Sequence, residues 1–144
     1  MERLDRTRVA AFLRVAIPSL LGASLAVEVL EARRGRLLPV LVPAPGYGGP
    51  DAPTDPAAVT VHQDAAVYAS LLAPAQRVTH RFRPGFMGYL FVVHGAAHVD
   101  PDGDTGELDE GGAAKVVDEP EVSGRARDAG AEFLLAEIRM ETGR

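Results

Sequence analysis

The chain has 144 residues, 47% of them hydrophobic and 24% charged, the balance of one folded domain with its own core. Its net charge of −5 argues against a role built on neutralising nucleic-acid phosphates. The absence of cysteine excludes a disulfide scaffold, a cysteine-held zinc site and a thiol nucleophile.

The N-terminal third is the most apolar stretch. Val9, Phe12, Leu13, Ala16 and Ile17 fall at helical spacing behind Thr7 as an N-cap, and Pro18 then interrupts the helix. Beyond it Leu25, Val27 and Val29 alternate with Ala26, Glu28 and Leu30, which suits a strand. Arg3, Arg6, Arg8 and the small residues around Ser24-Leu25-Ala26 give residues 1–26 some features of a signal peptide. Glu2 and Asp5 sit in its basic region, however, and Arg14 interrupts its apolar run. The stretch left over, Val15 to Val27, is short of the roughly 20 residues a bilayer demands. The favoured reading is a cytoplasmic protein without a membrane span. In it, residues 1–36 are an apolar segment packed on the domain or exchanged with a partner; a remnant of a larger protein is a third reading.

Residues 37–58 read as a strand followed by a linker. From Pro43 to Ala58, five of sixteen residues are proline and three are glycine. Residues 59–140 then carry the β-rich core. Val59–His62, Val67–Leu72 and Arg77–Phe82 read as strands. In the last, Val78, His80 and Phe82 share one face and Arg77, Thr79 and Arg81 the other. Tyr89–His94 is a nearly continuous apolar run. Gly95 is expected to turn the chain back through Ala96–Val99, leaving His94 and His98 at the strand ends of a hairpin. Ala113–Val117, Val122–Ala126 and Phe133–Ile138 complete the set. Short strands with turn signals between them point to an all-β jelly-roll sandwich or barrel.

Several of these segments carry a resemblance. The run Val61-His62-Gln63-Asp64-Ala65, with Tyr68, Leu71-Leu72 and Val78-Thr79, resembles the start of the C-terminal cupin domain of pirin-like proteins. That family includes bacterial quercetin 2,3-dioxygenases. Leu90-Phe91-Val92-Val93-His94-Gly95, Ala131-Glu132-Phe133-Leu134-Leu135 and Arg34-Gly35-Arg36-Leu37 are similar to the same domain, over residues 31–140. The resemblance implies a single cupin barrel. It also implies a metal held by three His and one Glu in the N-terminal half of the larger protein, a half that residues 1–30 do not resemble.

A cupin metal site wants two His at alternate positions of one strand, a Glu shortly after, and a third His from a later strand. Here His80 takes the first place and Phe82 stands at the second. Phe86, Met87 and Gly88 occupy the stretch expected to hold the Glu, and Ala113 to Val122 has no His. Only Asp118, Glu119 and Glu121 offer oxygen there. His80 is thus a weak metal candidate, and no cofactor is expected; iron, copper or nickel enters only if a metal is bound.

Other groupings carry alternatives. His62 and Asp64 share a strand face and could form an acid–base dyad, though a folding role is favoured. Arg77, Arg81 and Arg83 could bind an anion, line a solvated face or dock the acidic loop 100–110 of a second copy. Asp100 to Glu107 has the alternating acids of a calcium loop, but Thr105 and Gly111 break the EF-hand pattern and a solvated hairpin tip is favoured. The chain therefore reads as a structural, ligand-binding or partner-docking cupin module, with a homodimer or a separate cupin chain as partner. The alternative is a small-molecule enzyme of the barrel cavity, including a quercetinase-like one. Its candidate residues are His80, Arg81, Arg83, Tyr89 and Glu119.

Overall fold

The computed structural model describes residues 2–3, 32–100 and 106–141. The expected apolar element falls mainly on residues 4–31, outside the described residues, and so do positions 101–105 of the acidic loop. The described chain is built from strands β1 (Glu2–Arg3), β2 (Leu38–Pro43), β3 (Val59–Val61), β4 (Ala65–Leu72), β5 (Arg77–Arg81), β6 (Phe86–Asp100), β7 (Gly106–Leu108), β8 (Ala113–Val116) and β9 (Glu121–Arg139). They hydrogen-bond in the order β1-β8-β6-β9-β4-β2-β3, with β5 also on β9 and β7 also on β6. Every pairing is antiparallel except β2 with β3. No helix among the described residues is long and apolar enough to cross a membrane.

Two long strands organise this sheet, and both correct the expected hairpins. Gly95 does not reverse the chain. β6 runs through it, with register shifts between Val92 and His94 and between Gly95 and Ala97. A glycine at positive φ inside a strand marks a bulge that bends the strand without ending it. Gly95 has φ 76° and Gly130, at the matching bend of β9, has φ 78°. The segments Val122–Ala126 and Phe133–Ile138 are accordingly two arms of one strand. The first arm of β9 pairs with β5 and with the end of β6; the second pairs with β4 and with the start of β6. His94 and His98 therefore do not close a hairpin: His94 lies opposite Glu132, and His98 lies opposite Arg125 and Glu107.

The bend folds the arms into one core. Leu90, Val92, Phe133 and Leu135 from the second-arm region pack with Val99, Val122 and Ala126 from the other, all under 4% exposed. Leu37, Tyr68, Val78 and Phe82 close over this cluster. Alternation sends their neighbours to the opposite face. There Val67, Ala69 and Ala136 pack with Val40 and Leu41 of β2, and with Tyr89 and Leu134. That second face explains why β2 is apolar at successive positions.

The bend leaves no room for a side chain. A Cβ on Gly95 would fall 3.1 Å from the carbonyl carbon of Gly130 and nearer still to its oxygen; one on Gly130 would meet the Leu72 oxygen at 2.8 Å. Replacing Gly95 by Ala adds this clash to the cost of positive φ, so Gly95→Ala is expected to lower stability by about 2 kcal/mol or more. Gly49→Ala, where nothing lies within 4 Å, should stay within about 0.5 kcal/mol. Urea unfolding of the two variants makes the comparison.

Candidate functional site

The inward face of the second arm of β9 carries Phe133, Leu135 and then Glu137. Glu137 is 1% exposed and lies between Ala66 on β4 and Gly88 on β6. An ionised carboxylate in such a place is costly unless it is paired and hydrogen-bonded. A Cβ on Gly88 would lie 2.6 Å from Cε1 of Phe82, so the phenyl ring lies over the bare glycine backbone.

β5 and the turn after it deliver those partners. His80, turned inward with Val78, places Nε2 2.8 Å from Glu137 Oε2. Because a carboxylate only accepts, Nε2–H is the donor. The His80 ring is wedged between Tyr68, 4.7 Å away between centroids, and Phe82, 5.1 Å away and edge-on. Arg83 Nε donates to Glu137 Oε1 at 2.6 Å, and Arg83 Nη1 donates to Asp64 Oδ1 at 2.9 Å. Asp64 Oδ2 accepts in turn from Arg139, from Nε at 3.1 Å and again from Nη2. Both guanidinium groups lie on the Phe86 ring, Arg83 at 3.8 Å from its centroid and Arg139 at 4.8 Å. The result is a ladder of alternating groups, His80–Glu137–Arg83–Asp64–Arg139, leading from the buried core to the surface.

The electrostatics follow from the pairing. Burial pushes the Glu137 carboxyl up, but the hydrogen bonds from His80 and Arg83 and their charges outweigh it and hold it below its ordinary 4.5. Burial likewise opposes ionised Asp64, and Arg139 and Arg83 overcome it, keeping Asp64 below 3.8. For Arg83, desolvation is outweighed by its bonds to Glu137 and Asp64, and it is held more firmly charged. Burial, and then the Glu137 charge, push the Tyr68 hydroxyl up to about 12, so it is neutral at any physiological pH.

Of the candidates read from sequence, His80 and Arg83 meet at this ladder; the other three do not. Arg81 points to solvent, its side chain 87% exposed, opposite Glu121 across the β5–β9 pair. The parity of a strand sends it away from His80. Tyr89 packs on the opposite face of the sheet with Val40 and Leu41. Glu119 lies in the β8–β9 connection and takes no part in the ladder. The His62–Asp64 dyad does not form: His62 stacks on Tyr47 at 4.7 Å, and Asp64 is held by the two arginines. The grouping of Arg77, Arg81 and Arg83 also divides, since Arg83 turns inward. Glu137, Arg139 and Phe86 were missed. Strict alternation from Phe133 and Leu135 was the signal that would have turned Glu137 inward.

Among the described residues, no group of three or more His, Asp or Glu stands close enough to hold a metal. His94 pairs with Glu110 at 3.4 Å on the surface, far in sequence register from His80.

With this geometry in view, the sequence matches the family model described as the quercetinase C-terminal cupin domain over residues 50–138. No curated protein matches it. Among solved structures, it is similar to YhhW from Escherichia coli, at 20% identity and a TM-score of 0.59, over 76% of this chain and 41% of that one. The bacterial pirin YhhW of Escherichia coli in complex with nickel(II) aligns at 21% identity and a TM-score of 0.55, over 66% of this chain and 38% of that one. YhaK from Escherichia coli aligns at 19% identity and a TM-score of 0.55, over 65% and 40%. These likenesses establish the all-β cupin fold. The chain spans less than half the length of each of these structures.

Lowered carboxyl pKa values set the sign of the pH response. The stability that Glu137 and Asp64 contribute is present above their unfolded values of 4.5 and 3.8 and is lost as pH falls through the lower folded ones. Stability should therefore be level from neutral pH to about pH 5 and decline below about pH 4. Glu137→Gln should cost about 3–5 kcal/mol at pH 7, because it strips the buried Arg83 of a counter-charge, and should flatten the acid decline. Urea unfolding between pH 3 and 7 reads both effects.

Proposed function

The chain belongs to the quercetinase C-terminal cupin domain family, and from that premise we propose that it works without metal, as a scaffold or partner-docking cupin half. The observation that carries this is the commitment of its inward polar groups to one another. A metal at His80 would require a second His at position 82, where the Phe82 ring instead packs on Gly88. The carboxylate beside His80 does not replace the missing ligands, because Arg83 already holds Glu137 Oε1 at 2.6 Å. A fixed guanidinium there opposes a divalent cation by charge and occupies the acceptor lone pairs. The donor set that the family's dioxygenase chemistry calls for does not fit these residues.

A metal-free enzyme of the cavity is the second reading. One observation favours it: His80 and Glu137 form a hydrogen-bonded acid–base pair beside the Tyr68 ring. Against it, the His80 side chain is only 11% exposed and is boxed in by two rings. In the favoured reading, residues 37–58 are a strand and linker and 59–140 form the barrel. The protein is cytoplasmic and associates with itself or with a separate cupin chain.

Elemental analysis of untagged protein, grown with iron, nickel, copper and manganese supplied, is the test. The expected result is far less than one metal per chain after dialysis, with a thermal midpoint unchanged by chelator. Near-stoichiometric transition metal together with a chelator-sensitive midpoint would overturn the proposal.

A further inference from the structure

The outer face of the first β9 arm holds a different arrangement. Arg77 on β5 lies directly opposite Arg125 on β9, and Arg125 lies directly opposite His98 on β6. Two guanidinium groups and an imidazole thus stand in one row across three adjacent strands. Like charges in directly opposed positions are destabilising. An ordinary outer face relieves them with an interleaved acid, as the same strand pair does two pleat repeats away, where Arg81 faces Glu121.

Two carboxylates, Glu107 and Asp128, also line the cleft, but among the described residues neither forms an ion pair with the arginines of this row. Glu107, opposite His98, pairs with Arg127. Asp128 lines the same cleft, and among the ion pairs of the described residues neither Arg77 nor Arg125 is joined to a carboxylate. The row is also not flat. It lines a cleft of ≈ 350 Å³ walled by the β4–β5 turn at Pro74 and Ala75. That wall is pinned to β9 by Ala75 N–H on the Ala126 carbonyl at 3.1 Å and by Ala126 N–H on the Gln76 carbonyl at 2.9 Å. The Gln76 side chain accepts from Ala73 N–H at 2.9 Å. Ala75 is held at φ 65°, a conformation an L-residue keeps only where its surroundings impose it.

We propose that this cleft binds a small tetrahedral dianion of the phosphate class, either free or as the terminal group of a phosphate monoester. Arg77 and Arg125 grip its oxygens from two sides, and His98 stands next in the row, between Arg125 and Glu107. Two adjacent guanidinium groups offer paired N–H donors matched to phosphate oxygens, and the bound dianion removes the repulsion between them. The site is on the outer face, separate from the Glu137 ladder inside, so it does not depend on the scaffold reading.

The test is a phosphate titration followed by the side-chain Nε–H resonances of arginine, at fixed ionic strength and pH. Sodium chloride serves as the screening control, and succinate as a dianion of different shape. Glycerol 3-phosphate distinguishes a monoester from free phosphate. Saturable shifts at Arg77 and Arg125 with phosphate are expected, at least tenfold stronger than with succinate, and absent with chloride. Arg125→Gln should weaken phosphate at least tenfold, whereas Arg81→Gln, on the strand of Arg77 but outside the cleft, should leave it unchanged. Because Arg125→Gln removes a repelling charge from an exposed position, its unfolding midpoint should not fall, which separates lost binding from lost structure. Shifts that never saturate, that chloride reproduces, or that persist in Arg125→Gln would overturn the proposal.

Discussion

The burial of one ionised carboxylate, Glu137, shapes the interior of this protein. At 1% exposure in the central strand, it has to be matched in both charge and hydrogen bonds. Several otherwise unrelated features follow from that need. Gly88 beside it stays bare, because a side chain there would collide with the Phe82 ring. β5 delivers His80 from one side, and the turn after β5 delivers Arg83 from the other. Asp64 and Arg139 then compensate Arg83 and carry the alternation of charge outward. The apolar cluster beside the ladder has no share in this pairing and fills the rest of the interior.

The division between what the sequence disclosed and what it concealed is physical. The alternation of Val78, His80 and Phe82 against Arg77, Thr79 and Arg81 placed β5 correctly, because one face is wet and one is dry. The family likeness was carried by the run around His62 to Ala65 and by the apolar segments of β6 and β9. The hairpin at Gly95 failed because a glycine at positive φ serves a tight turn and a strand bend equally well. Only the long-range partner distinguishes them: Gly95 abuts the backbone of Gly130, 35 residues later in the chain. The same limit hid the site. His80 and Glu137 are 57 positions apart, and Asp64 and Arg139 are 75 apart. Proximity in sequence suggested His62 with Asp64, and register put Asp64 against arginines instead.

Inside and outside use arginine in opposite ways. Arg83 is held by two carboxylates in a place water hardly reaches, and its charge serves the fold. Arg77 and Arg125 are exposed and set against each other, a pattern that costs the fold and has to be accounted for elsewhere. On the outer surface, the cleft beside the β4–β5 turn is a formed concavity.

The central claim is that His80 is committed to Glu137 and is not a free metal ligand. It is tested most directly by the imidazole ¹⁵N spectrum of histidine-labelled protein, with His80 assigned through His80→Gln. The account predicts a His80 Nε2 that carries its proton, loses its distinctive shift in Glu137→Gln, and keeps position and linewidth when one equivalent of nickel(II) is added. A His80 signal that moves or vanishes with nickel while the Glu137 substitution leaves it unaltered would contradict it.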